Sequence, residues 1–231
     1  MAGVLYLVAT PIGNFDDITH RALRVLKEAD VIVMEERKPG ARLLAHFGIA
    51  DKVIETLNEH NEDQVTATII QVLREGRTVA LVSDAGTPVF ADPGLQLVRR
   101  AIAAGVQVTP IPGASSIVPA LVASGFPMEP FVFAGWLSPK RENRIKELRE
   151  FVNEERTVVL LETPYRLEPV LRDISAVLGS ERQVAIALNL TMPDEEILRG
   201  TAEELHRIAE ARKLKGEFVI VIAGKRTSSR K

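Results

Sequence analysis

Two α/β domains are predicted for this chain, the first on a mainly parallel sheet and the second on a mixed one. Three observations lead there. Through the first half, short apolar runs of strand length alternate with segments of helical spacing, the pattern of a parallel sheet covered on both faces. Beyond residue 116 the pattern changes to four strand candidates and a turn suited to antiparallel neighbours. A Gly/Pro-rich stretch, PIPGASS at 110–116, marks the change. The boundary is therefore placed near residue 114, giving domains 1–114 and 115–231. A chain of 231 residues can bury cores of this size.

The elements follow in order. VLYLVA (4–9) reads as a buried strand. Ala22, Leu23, Val25, Leu26 and Ala29 recur with helical spacing and lead to the strand VIVM (31–34). KVIET (52–56) is a further strand, and Val65, Ile69, Val72 and Leu73 mark the next helix. TVALV (78–82) precedes a loop and then a helix from Leu95 to a C-cap near Gly105. VQVTPI (106–111) closes the half, and a short helix follows PIPGASS. In the second half FVFAGW (131–136), TVVLLE (157–162), QVAIALNL (183–190) and EFVIVIAG (217–224) are strands. A helix presenting Leu167, Val170, Leu171, Ile174, Val177 and Leu178 separates two of them. MPDEE (192–196) is the turn between antiparallel neighbours. The tail KRTSSRK (225–231) is polar, basic and expected to fray.

Composition narrows the chemistry. The absence of cysteine removes disulfides and thiolate chemistry. Four histidines, none in an HxH or HExxH spacing, argue against a metal site. A net charge of −2 gives no global basic footprint, so any nucleic-acid contact must be local. No apolar run spans a bilayer, and MAGVLYLVAT lacks the pattern of a signal peptide. A cytoplasmic globular protein is expected.

Ligands of open α/β sheets sit beyond the carboxyl ends of the strands. The loops TPIGN (10–14), SDAGTPVFADPG (83–94) and PIPGASS occupy such positions. Each joins Gly and Pro with small polar residues, which lets backbone approach a ligand. Neither GxxxxGK[ST] nor a GxGxxG after the first strand occurs, so neither common phosphate-binding loop is present. Asp84 is the expected polar anchor. Asp92, just before Pro93 and Gly94, is expected to cap the following helix.

The stretches LYLVATPIGNFDDITHRALRVLKEADVI, NEHNE (58–62), LVSDAGTPVFADPG and VTPIPGASS resemble the tetrapyrrole methylase superfamily. ETPYRLEPVLRDISAVLG (162–179), EEILRGTAEEL (195–205) and KGEFVIVIAG (215–224) extend the resemblance through the second half. Within the superfamily they resemble the branch that methylates the 2′-hydroxyl of a cytidine in small-subunit (16S) ribosomal RNA. The resemblance implies two α/β domains holding S-adenosylmethionine in the cleft between them, usually in a homodimer, with ribosomal RNA or the small ribosomal subunit as partner. It implies that Asp84 and the backbone of Ala85, Gly86 and Thr87 meet the cofactor, with Ser115 and Ser116 lining the same pocket and Pro11 forming a wall. Leu161, Glu162, Ala187 and Leu188 would close over the adenosine. Glu36 and His60 are the candidates for acid–base or substrate-orienting roles.

The chain departs from the family pattern in places. A usual Glu-Asp-Thr-Arg-His-Thr is here Glu35-Glu36-Arg37-Lys38-Pro39-Gly40. Ala-Arg-Glu-Leu-Thr-Lys becomes Ala187-Leu188-Asn189-Leu190-Thr191-Met192, and Ser-Pro-His-Arg becomes Thr163-Pro164-Tyr165-Arg166. The chain also ends just after its last strand, where some members carry a C-terminal extension. A divergent member is therefore expected, with a different acceptor such as a macrocycle, or a non-catalytic binding role, as the alternatives. Basic clusters available for RNA are Arg37 with Lys38, the segment carrying Lys140, Arg141, Arg144 and Lys146, and the tail from Lys225. The alternative for the 139–149 segment is a solvated helix face.

Overall fold

A computed structural model describes residues 3–225, so the basic tail lies almost wholly outside the described residues. The chain divides into two compact units, one ending at Ser115 and the other starting at Ser116.

The first unit holds a five-stranded sheet in the order β3-β2-β4-β1-β5. Its strands are β1 (Val4–Val8), β2 (Val31–Met34), β3 (Val53–Thr56), β4 (Val79–Val82) and β5 (Gln107–Ile111), and every pairing is parallel. Helices α1 (His20–Glu28) and α2 (Arg37–His46) cover one face, where Ala22, Leu26 and Leu44 pack on Val8, Ile32 and Val82. Helices α3 (Glu62–Arg74) and α4 (Leu95–Ala103) cover the other, with Ile69, Leu73 and Leu97 against Leu5, Val33 and Leu81. Because β2 and β4 are buried along their whole length, they are continuous apolar runs rather than alternating ones.

Two local signals set helix ends in the first unit, the one at Gly105 as expected from the sequence. Thr19 caps α1 by accepting the Ala22 N–H at 3.1 Å. Gly105, at φ +72°, ends α4: its N–H donates to Ile102 O and that of Val106 to Ala101 O, a Schellman motif.

The second unit holds a mixed five-stranded sheet, order β6-β7-β10-β8-β9. The strands are β6 (Phe131–Trp136), β7 (Thr157–Glu162), β8 (Gln183–Leu188), β9 (Glu196–Thr201) and β10 (Phe218–Ile222). Only β6 and β7 run parallel. Helix α5 (Ile117–Ser124) packs on one face through Ile117, Ala120 and Leu121. Helices α6 (Arg141–Glu150), α7 (Leu167–Leu178) and α8 (Ala202–Arg212) cover the other.

Two α-helices and one strand escaped the sequence reading. Helix α2 is masked by Lys38-Pro39-Gly40, which reads as a breaker. Proline is tolerated in a first helical turn, and a side chain at Gly40 would set its Cβ 2.3 Å from Sδ of the buried Met34, which would then have to move. Strand β9 lies at a sheet edge and carries a polar mixture. Helix α8 begins with a capping box, Thr201 to Glu204, a signal that was available in the sequence.

Candidate functional site

The strand order of the first unit fixes where a ligand can sit. From β1 the chain crosses by α1 to β2 on one side; from β4 it crosses by α4 to β5 on the other, and the two helices lie on opposite faces. The adjacent carboxyl ends of β1 and β4 are thus a topological switch point, the crevice position of doubly wound sheets.

The three loops singled out from sequence meet there. Thr10 and Gly86 exchange backbone hydrogen bonds of 2.9 and 3.0 Å, joining the loop after β1 to the loop after β4. Buried Thr10 also donates from Oγ1 to Ser83 O at 3.0 Å. Thr87 Oγ1 donates to Ala114 O at 3.4 Å, tying in the loop after β5. Gly86 takes φ +86°, and a Cβ there would lie 3.4 Å from Ile12 Cγ2. At Gly113 a Cβ would come within 2.9 Å of that of Ala9, so this loop passes too close to β1 for any side chain. The β4 loop further holds Val89 at φ +70° and Ala91 at +67°. Such conformations cost about 1–3 kcal/mol each and persist only where packing enforces them; Val89 is anchored on the α3–α4 core.

Carboxylates crowd this rim. Asp84 Oδ1 accepts the backbone N–H of Glu36, the residue preceding α2, at 3.3 Å. Burial raises the Asp84 carboxyl above its usual range, against that hydrogen bond and with help from Glu36 and Asp92. Burial also raises Asp92, opposed by the Ser83 Oγ–H donated to Asp92 Oδ2 at 2.5 Å. Glu35 is pushed up to about 6 by burial and then by the charges of Asp92, Asp84, Glu36 and Glu59. Glu36, the residue singled out from the sequence, is exposed, whereas its neighbour Glu35 is half-buried. Among the described residues no cluster of His, Cys, Asp and Glu suits a metal ion.

The helix-cap role expected of Asp92 is overturned. Glu62 Oε1, at the start of α3, accepts the N–H groups of Gly94 and Gln96 at 2.9 and 3.2 Å, so a side chain from another helix caps α4. Gly94 itself sits at φ +117° with no side chain to contribute. The NEHNE turn has a related explanation. Asn61 accepts from Asn58 N at 2.8 Å and donates to Thr56 O at 2.9 Å, while Asn58 accepts from His60 N at 3.0 Å. His60 is left with its imidazole 86% exposed, 3.6 Å from Glu59 Oε1.

Of the other residues singled out, Pro11 is buried, and Ser115 and Ser116 are half-buried, closing the loop after β5. In the second unit, strand register splits the four remaining residues. Leu161, Val219 and Ala187 share one row across β7, β10 and β8 and face α5. Glu162, Phe218 and Leu188 form the next row, and Phe218 and Leu188 face the α6–α8 layer. Glu162 Oε2 lies 3.0 Å from Arg166 Nη2, an ion-pair contact, and burial raises its carboxyl against the pull of the Thr163 N–H and of Arg166.

The 139–149 segment is a helix, α6, but Arg144 serves neither RNA nor solvent. Only 4% exposed, it donates from Nε and Nη2 to Asp173 Oδ2 at 2.9 and 2.7 Å. Charge alone suggested a phosphate contact; the buried Asp173 on α7 claims the guanidinium instead. Arg141 also reaches Asp173, at 2.9 Å, from an exposed position.

The sequence profile of the tetrapyrrole (corrin/porphyrin) methylases matches residues 4–206. The chain belongs to that family. The tetrapyrrole methylase fold is seen directly in a solved cobalt precorrin-4 methyltransferase, which superposes with a TM-score of 0.71 at 20% identity, covering 95% of this chain and 94% of that one. A uroporphyrin-III-C-methyltransferase from Thermus thermophilus gives 0.63 at 25% identity, with 96% and 94% covered. Within the family, the ribosomal RNA small subunit methyltransferase I of Halalkalibacterium halodurans is 47% identical over 222 residues, 96% of this chain and 76% of its own. The protein of that name from Pasteurella multocida is 41% identical over 227 residues, 97% and 80%.

Proposed function

We propose that this member of the family is an S-adenosylmethionine-dependent methyltransferase acting on ribosomal RNA of the small subunit, at the ribose 2′-hydroxyl of a cytidine. The observation that carries the reading is identity of 41–47% over nearly the whole chain to proteins of that name. The macrocycle methylases are 20–25% identical, which supports the fold and not their acceptor.

The switch-point loops of the first unit suit such a cofactor. A rim bearing Glu35, Glu36, Asp84 and Asp92 repels phosphate, so a nucleotide di- or triphosphate fits poorly there. A ligand with ribose hydroxyls to donate and a positive centre fits well. S-adenosylmethionine supplies a methyl group already activated on its sulfonium. The chain's own residues then bind and orient. In this reading Asp84 accepts from the ligand, the Ala85–Gly86–Thr87 backbone and Pro11 form the wall, and Ser115 and Ser116 line it. Glu36 or its half-buried neighbour Glu35 manages the acceptor proton, with exposed His60 in an orienting role. In the second unit this reading assigns the adenosine to Leu161 and Ala187, which share the sheet face packed on α5.

The reading takes the two compact units as domains 1–114 and 115–231, and the working form as a homodimer in the cytoplasm. Among the described residues no helix is long and apolar enough to cross a membrane. Transfer of a labelled methyl group to small ribosomal subunits lacking the modification tests the function. Label should appear in RNA on a ribose oxygen; no incorporation into RNA would sink the proposal.

A further inference from the structure

The parallel pair β6–β7 ends in two loops that are tied together from below. Arg166, in the loop after β7, donates from Nη2 to Leu137 O at 3.1 Å and Ser138 O at 2.8 Å in the loop after β6. Glu162 holds Arg166 at 3.0 Å. Buried Arg144 donates from Nη1 to Ser138 O and Pro139 O, both at 3.3 Å, while gripping Asp173, which is fully buried. Glu147 accepts the Ser138 N–H at 2.7 Å. These charged groups immobilise the 137–140 backbone on the α6–α7 layer.

On this rigid base the chain displays what soluble surfaces usually hide. Trp136, its only tryptophan, is 50% exposed directly before the tied loop, and Tyr165, directly before Arg166, is 81% exposed. Lys140 and Arg141 are exposed at the start of α6, immediately after the same loop. Two aromatic rings and two cations on adjoining, pre-ordered loops are the ingredients of single-stranded RNA recognition: flat faces on which unpaired bases stack, and charges for the phosphates between them. An overall charge of −2 makes a local cluster of this kind the requirement for RNA contact. The rings are amphipathic and rigid, so ordering them on a ligand costs little entropy.

We infer that Trp136 and Tyr165, with Lys140 and Arg141, form a binding surface for an unpaired segment of the RNA substrate. The inference rests on the ribosomal RNA reading above. Its test is binding of a labelled single-stranded RNA from the small subunit to the full chain, across a salt series, beside calorimetry with S-adenosylmethionine. Trp136→Ala and Tyr165→Ala should each weaken RNA binding by roughly 10-fold, since stacking on an aromatic contributes on that order per base. Trp136→Phe and Tyr165→Phe should restore most of it. Lys140→Gln should flatten the salt dependence, and cofactor affinity should stay at the wild-type value in all of them. RNA affinity unchanged in the double alanine variant, with the wild type still binding and methylating RNA, would overturn the inference and leave the function intact. A double variant that turns dimers into monomers while keeping its RNA affinity would also overturn it, marking the patch as a face between copies. A wild type that transfers methyl groups to no RNA would remove the function and the inference with it.

Discussion

Thr10 and Gly86 pair through reciprocal backbone hydrogen bonds of 2.9 and 3.0 Å across the switch point of the first sheet. The loops after β1 and β4 are therefore one structural object, and its geometry depends on a glycine at φ +86°. Most consequences for binding follow from that joint.

Gly86→Ala should lower stability by about 1–2 kcal/mol, the cost of a left-handed conformation for a residue with a Cβ. The same change should weaken S-adenosylmethionine binding more than its stability loss explains, because the displaced backbone is the proposed wall of the site. Thermal melts with and without ligand separate the two effects.

Asp84→Ala should reduce cofactor affinity while leaving the unliganded Tm close to wild type, because the hydrogen bond its carboxylate accepts from Glu36 N is long at 3.3 Å. Calorimetry with S-adenosylmethionine checks this. Wild-type affinity in the variant would remove Asp84 from the site.

Glu35 makes stability depend on pH with a definite sign. Its folded carboxyl titrates at about 6, above the ordinary 4.5, with burial the first cause and neighbouring carboxylates the rest. Between those values the folded chain keeps a proton that the unfolded chain has released, so stability falls as pH rises from about 4.5 to 6. Asp84 and Asp92, also raised, act in the same direction. Glu35→Gln should therefore gain Tm over wild type at pH 7.5 and lose that advantage at pH 4. An advantage equal at both pH values would refute the assignment.

Glu62→Ala should cost roughly 0.5–2 kcal/mol, the range for a lost N-terminal cap, although Glu62 lies more than thirty positions before the helix it caps. Asp92→Ala should leave the α4 amides protected from hydrogen exchange, whereas Glu62→Ala should expose them. The reverse pattern would reinstate Asp92 as the cap.

Arg144→Ala should destabilise the second unit by up to about 3–5 kcal/mol, since it removes the buried partner of Asp173 and leaves that carboxylate only the exposed Arg141. Arg144→Ala with Asp173→Leu should recover much of that loss, because removing both partners leaves no charge to solvate. Denaturant melts of the single and double variants form the cycle that measures this.

The periodicity of apolar residues determined the strands and helices that carry long signals, because burial on one or both faces writes itself directly into spacing. Strands β1 to β8 and β10 were legible on that ground, and so were the three Gly- and Pro-rich loops that meet at the strand ends of the first sheet. Tertiary structure alone decided what depends on contacts between segments far apart in sequence. That Glu62 caps α4, that Asp173 takes Arg144 from the surface, and that Glu35 bears the perturbed carboxyl all require knowing which loops meet. A charged residue looks the same in sequence whether water or a buried partner receives it. Burial separates the two cases, and burial is a property of the assembled fold.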